Sequence, residues 1–493
     1  MGRSGIATRL FLTAWLVYGA HLTSNVARET YLAMSIGESL TFRVDPYLGL
    51  HDDLFEIPGR GSYINSNPGA SMLGALPYAL ARPAIAALFR LKPALGQPKP
   101  PAGYDDPRPN RAKFMNEMRA RGLDVKLALA AFAIQLGLMA TLGAIAAVVL
   151  FRFLTHRLGD ERKALWLALL YTFATPLFFR SAFLNQNAIV AHMVLFAWVG
   201  LGWPGPGDDS ARVRRWLGAG VFLGIGLLCD YSTVPLAFVF GCWAIWEGWA
   251  AGGLRAAARR SIAYIAGTAG PVALLLWYQW SAFGSPWFPA QRYMPATEYS
   301  VLGWKGFTLP TFDLLWRNLF DPRFGLFVFC PMLVLAFAAP FLRRTRDALT
   351  GREVTIALAG VGALWLFSSA NQFANLQWNT GVRYMVPAVP LLFFLLVPVL
   401  GVLPRWVSGI AIGASLLVSW ATAMTREDPL IAVRMVFTEG PTLPMLIVLR
   451  KTAAAYAPFL QTGVQPAGII AVLVLALTVW AVWRIGRGTS SAA

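Results

Sequence analysis

Three carboxylates stand close together in HDDLFEIPGRGSYINSNPGASM, residues 51–72: Asp52, Asp53 and Glu56, set among glycines, prolines and amides. A sheltered carboxylate can take the proton of a hydroxyl group as a general base. Two adjacent acids after a histidine can also hold a divalent cation, which makes Asp52 and Asp53 candidate metal ligands as well as candidate bases. A further acid, Glu29, follows Arg28 in SNVARETYLA, and Arg383 precedes Tyr384 in NTGVRYMVPAVP. The planar fork of an arginine binds two phosphate oxygens at once, which a lysine ammonium cannot do. Each residue also has a plainer reading. Asp and Gly favour turns, an acid past a helix end pairs with its neighbour, and an interfacial arginine anchors a helix in lipid.

These groups sit in a chain that is otherwise apolar. Of its 493 residues 57% are hydrophobic and 13% charged, with a mean hydropathy of +0.54. That composition excludes a water-soluble fold and points to an all-α, polytopic membrane protein. The net charge of +18 comes largely from short Lys and Arg clusters between apolar runs, which is the pattern of membrane orientation and not of a nucleic-acid surface. Cys229, Cys242 and Cys330 show neither CxxC nor metal-ligand spacing and read as small buried side chains. The apolar run after Arg3 and Arg9 lacks a convincing cleavage site and is expected to remain as a signal anchor.

Spans of roughly twenty residues, some shorter, are expected to start near Ile6, Val125, Ala164, Ala188, Trp216, Tyr231, Ser261, Phe324, Val354, Tyr384, Trp406 and Ala467, about twelve in all. Every second loop is basic: Arg152, Arg157, Arg162 and Lys163, then Arg212, Arg214 and Arg215, then Arg255, Arg259 and Arg260, then Arg343, Arg344, Arg346 and Arg352. Arg405, Arg484 and Arg487 continue the alternation, so both termini are expected in the cytoplasm and the intervening loops outside. Residues 69–89 are apolar enough to cross, which would invert this order, and with Pro77, Pro83, Arg82 and Arg90 they read instead as a segment lying at the outer surface or re-entering it. Residues 1–404 then form a transmembrane catalytic region with a first outward loop of about 23–124. Residues 405–493 supply C-terminal helices with an outward loop at about 425–467. Large polar loops fall on the outward side alone and no internal repeat is visible, which is unlike the two-gated build of an alternating-access transporter.

Four stretches, in order, carry a resemblance: SNVARETYLA; GSYINSNPGASML; WYQWSAFGSPWFP followed by FDPRFGLFVFCP; and NTGVRYMVPAVP. They are similar to motifs of the bacterial integral-membrane glycosyltransferases of the GT-C fold, the protein mannosyltransferase and aminoarabinose transferase superfamily, over residues 3–404. The resemblance implies a large first outward loop with surface-lying helices, an active site facing out of the bacterial inner membrane, and a polyprenyl-phosphate-linked sugar as donor. It leaves Glu29 as the nearest acid where the family usually has Asp first in an acidic pair, because Arg28 stands there. Asn67 stands where the bacterial stretch usually has Lys. Arg383, Tyr384, Arg28 and Asn67 are thereby expected to meet the substrate or its lipid phosphate, with Arg292 and Arg323 of the large outward loop next in line. His192 resembles a histidine of relatives, against the plainer reading of a packed core histidine. Asp230 in CDYST reads as a helix-capping acid, and Trp287 and Trp304 can stack on sugars. A divalent cation is possible; donor sugar and acceptor (glycan, lipid or protein) are not encoded legibly. The rival readings are a transporter or lipid flippase, and an inactive relative that departs at Arg28 and Asn67.

Overall fold

The computed structural model describes residues 3–23, 28–103, 109–203, 208–342, 349–454 and 465–484. Residues 24–27 of the first motif, and Arg343, Arg344, Arg346 and Arg487 of the basic loops, lie outside these. α1 (Arg3–Ala20) is followed by a first loop region carrying α2 (Arg28–Ser39), the antiparallel pair β1 (Leu54–Ile57) and β2 (Gly61–Ile64), α3 (Gly69–Leu91) and α4 (Pro109–Ala120). α5 (Asp124–Ile134) runs through a π-helical stretch (Gln135–Ala140) into α6 (Thr141–Leu158). Next come α7 (Glu161–Phe173), the single turn α8 (Leu177–Arg180), α9 (Gln186–Gly202), α10 (Asp209–Cys229) and the long α11 (Thr233–Phe283). The rest is α12 (Phe312–Phe320), α13 (Leu326–Phe329), α14 (Gly351–Ala370), α15 (Val389–Leu400), α16 (Arg405–Thr425), α17 (Pro429–Glu439), α18 (Pro444–Ala454) and α19 (Pro466–Arg484).

Local chemistry sets several boundaries. Asp160 caps α7 by accepting the amide of Lys163 at 3.0 Å, and Thr350 with Glu353 forms a reciprocal capping box at the start of α14. The backbone leaves the helical region at Gly252 and Gly253, with φ of +65° at the second, so α11 is two limbs, 233–251 and 254–283. The second limb lies against α10 through glycines: a Cβ at Gly220 would stand 2.1 Å from the Tyr264 carbonyl oxygen, and one at Gly267 2.1 Å from that of Leu217. Small residues at such crossings let helix backbones approach, which is how helices associate where lipid removes the hydrophobic drive.

Among the described residues, six helices are long and apolar enough to cross a membrane, or seven if the bent pair α17–α18 counts as one, and four shorter apolar helices accompany them. The protein is an integral membrane protein. By this measure the expected twelve spans are not all reached; each limb of α11 is counted within one helix, and the short helices α9 and α15 fall below the length. α3 passes the test too, yet its first residue touches the backbone of Leu228 at the C-terminal end of α10. Its Arg82 donates to the Glu38 carbonyl, and Glu38 in turn pairs with Lys126 at the start of α5.

The helices have two chemically distinct ends. α10 holds Asp209 and Arg212 at one end and Leu227 at the other, with Asp230 as its C-cap. At 1.5 Å per residue its 21 residues place these ends about 30 Å apart, the thickness of a bilayer's hydrocarbon core. α9, α14 and both limbs of α11 connect the same two ends. One end gathers Arg157, Arg212, Arg215, Glu247, Arg352 and Glu353, and the other surrounds a large cavity.

Candidate active site

The cavity, of about 960 Å³, is lined by the first loop, the α7–α9 connection, the α10–α11 turn, residues 286–307 and the stretch before α15. It brings together Arg28, Glu29, Asp52, Asp53, Asn67, Arg383 and Tyr384, seven side chains singled out from sequence up to 356 positions apart. One wall is apolar, formed by Val234 on the first limb of α11 and Val272, Leu275 and Leu276 on the second.

On the first-loop wall, Arg28 is the hub. Its Nε donates to Glu29 Oε1 at 3.1 Å and its Nη1 to Asp53 Oδ2. Asp53 Oδ1 also accepts from Asn65 Nδ2 at 2.8 Å, and Asp52 Oδ2 accepts from Asn110 Nδ2 at 2.6 Å. Asp52 and Asp53 therefore point to different partners, and among the described residues no group of three His, Cys, Asp or Glu side chains is arranged to hold a metal ion. Glu29 is 8% exposed at the first turn of α2. Asn67 Nδ2 donates to the Leu227 carbonyl at 2.8 Å and so ties the start of α3 to the end of α10.

The same cavity holds a pair of guanidinium groups. Arg383 is held by its backbone, since its amide and that of Tyr384 donate to Gln377 Oε1 at 3.0 and 2.9 Å. Gln377 is itself fixed by Asn318, and its Nε2 donates to Asn318 Oδ1 at 2.9 Å. Arg383 Nη2 donates to the Tyr384 hydroxyl at 3.0 Å and the guanidinium lies over the Tyr384 ring at 4.7 Å. The second is Arg180, which the sequence reading missed. It is 1% exposed, donates through Nη1 to the Thr380 carbonyl at 2.8 Å, and has its Nε enclosed without a partner. Burial and the neighbouring Arg383 lower its pKa to about 9, against the pull of Glu29. Neither Arg180 nor Arg383 has a carboxylate within ion-pair reach among the described residues.

Of the remaining candidates, Arg292, Arg323 and His192 lie outside the cavity wall. Arg292 is exposed and stacks over Phe288 at 4.2 Å. Arg323 is exposed beside Asp321 at 3.7 Å, an acid that Arg317 already holds at 3.1 Å. His192 is buried in α9 with both ring nitrogens lacking partners, and it is not part of the cavity wall. Asp230 does cap a turn, accepting the Ser232 amide at 2.8 Å, and it also lines the cavity, where Gln186 holds its other oxygen. Trp287 and Trp304 line the cavity as well. Of the cysteines, Cys229 and Cys330 are buried but Cys242 is exposed, because the outer face of an isolated apolar helix need not be covered by protein.

No family model matches the chain. No curated protein does either. Two solved structures are similar, both of ArnT from Cupriavidus metallidurans. The form bound to undecaprenyl phosphate is 15% identical over 97% of this chain and 75% of that one, with a TM-score of 0.48. The apo form is 15% identical over 97% and 74%, with a TM-score of 0.47. At that distance the cavity's own side chains decide what chemistry is available.

Proposed function

We propose that the protein is a membrane glycosyltransferase of the GT-C type, moving a sugar from a polyprenyl-phosphate donor to an acceptor hydroxyl at the outer face of the bacterial inner membrane, with both termini cytoplasmic. The observation that carries this reading is the pair Arg180 and Arg383, two guanidinium groups without a carboxylate in one cavity with the buried acid Glu29. Uncompensated buried positive charge is costly unless an anion meets it. A phosphate on a lipid carrier supplies that anion, and the apolar wall of α11 suits the first isoprene units beside it. Glu29 takes the proton of the acceptor hydroxyl as its oxygen attacks the anomeric carbon. The bond from that carbon to the donor phosphate oxygen breaks, and polyprenyl phosphate leaves with its charge held by Arg180 and Arg383. Asp53 and Arg28 set the position of Glu29. Trp287 and Trp304 offer faces for the sugar, and Tyr384 orients Arg383.

The test uses purified protein in detergent or liposomes with a panel of polyprenyl-phosphate sugars and the matching nucleotide sugars. Sugar release or transfer is expected from a lipid-linked donor and not from the nucleotide forms. Turnover from nucleotide sugars alone, or from no donor while polyprenyl phosphate also fails to bind, overturns the reading.

A further inference from the structure

His51 lines the cavity that holds the acid hub and the guanidinium pair, and three observations fix what its ring can offer. First, its Nδ1 is an acceptor: the backbone amide of Asp53 donates to it at 2.9 Å. A ring nitrogen that accepts carries no proton, so in the neutral imidazole the proton resides on Nε2. Second, the ring is held in place, stacked on Phe114 with centroids 6.0 Å apart and planes 5° from parallel. Third, Nε2 has no partner among the described residues and is not fully enclosed, on a residue that itself lines the cavity. Burial first, then Arg28 and Arg383, lower the imidazole pKa to about 3, so the ring adds a donor without adding a third positive charge.

We propose that His51 is a substrate-positioning residue whose Nε2–H donates to a phosphate oxygen of the ligand that Arg383 and Arg180 bind. This rests on the lipid-phosphate reading above and extends it with a neutral donor on the first-loop side. A neutral donor among cations suits an anion, because a hydrogen bond to a charged acceptor is worth about twice a neutral one. The contact joins the Asp52–Asp53 loop to the phosphate, so ligand binding and the placement of the acids become one event.

Two variants separate this role from a packing role. His51→Asn places an amide oxygen near Nδ1 and keeps the cap on the Asp53 amide, yet removes the donor at Nε2. His51→Gln places an amide NH₂ near Nε2 and restores that donor. The probe is a polyprenyl monophosphate in detergent, with the matching unphosphorylated polyprenol as blank and inorganic phosphate titrated in parallel. His51→Asn is expected to bind the lipid phosphate about tenfold more weakly than wild type, and His51→Gln to recover most of that loss. The same order with inorganic phosphate and none with the lipid supports the phosphate contact and assigns it to a free phosphate. Wild-type affinity in His51→Asn overturns the proposal, as does an equal loss in both variants, which marks a packing role. If wild type binds neither phosphate, the lipid-phosphate reading falls and takes this one with it; if wild type binds and the variants do not differ from it, only this one falls.

Discussion

Arginines at the two ends of the helix bundle keep different company. At the basic end, Arg157 donates to both oxygens of Glu353 at 2.7 and 2.6 Å. Arg212 and Arg260 share Glu247, Arg260 also reaches Asp209 at 3.3 Å, and Arg259 reaches Asp209 at 3.4 Å. At the cavity end Arg28 follows the same rule, held between Glu29 and Asp53. Among the described residues, Arg180 and Arg383 do not. Pairing is modest in both gain and cost where the surroundings are partly wet, and it neutralises the charge gathered at that end. Charge left uncompensated where one guanidinium is 1% exposed has no such partner, and the phosphate of the proposed donor would complete it.

Two substitutions would break this contrast if it is wrong. The largest effect is expected from Glu29→Gln, which keeps size and a hydrogen-bond acceptor for Arg28 but removes the base. Turnover should fall by roughly 100-fold or more while binding of polyprenyl phosphate is little changed. Wild-type turnover in this variant would move the base to Asp52, Asp53 or Asp230, each of which lines the same cavity. Next is Arg383→Lys, which retains the positive charge and loses the fork. Donor affinity should fall about tenfold, with thermal stability unchanged. Wild-type affinity would make Arg383 an interfacial anchor, and the contrast between the two ends would then rest on Arg180 alone.

What could be read from the sequence follows from the range over which each signal acts. Acids in a glycine-rich loop and an arginine before an apolar run are local signals, and Glu29, Asp52, Asp53 and Arg383 were visible on those grounds and on the resemblance. Arg180 was not, because LFFRSAF reads as the end of an apolar run, and only the fold brings its guanidinium to the Thr380 carbonyl, 200 residues away. His51 stood beside the acids but its tautomer depends on a hydrogen bond that spacing does not announce. Arg292 and Arg323 were chosen from loop placement alone, and local partners, Phe288 and Asp321, hold them outside the cavity. The helical, membrane-embedded class was legible from composition. The number of crossings was less so, since α3 is long and apolar enough to span and is also tied to the first loop through Tyr78 and Arg82 bonds to Glu38.

The smallest expected effect sharpens the comparison from the other end. Glu353 accepts from the Thr350 amide and hydroxyl at 2.8 and 2.9 Å as well as from Arg157. Glu353→Gln keeps the size and most of the cap, but leaves the Arg157 guanidinium facing an uncharged amide. The Arg157 side chain is 26% exposed and that of Glu353 10%, so water and lipid headgroups screen part of the loss, and about 1 kcal/mol of stability should disappear. Donor binding and turnover should stay at wild-type values, because the first cavity residue on α14, Phe367, lies roughly 20 Å further along the helix. Arg383→Lys is expected to give the reverse result, normal stability with weak binding. Thermal unfolding and polyprenyl-phosphate affinity measured on both variants therefore test the contrast directly: if Glu353→Gln weakened binding as much as Arg383→Lys does, the two ends would be coupled, and charge pairing at the basic end would belong to the catalytic cycle and not to orientation.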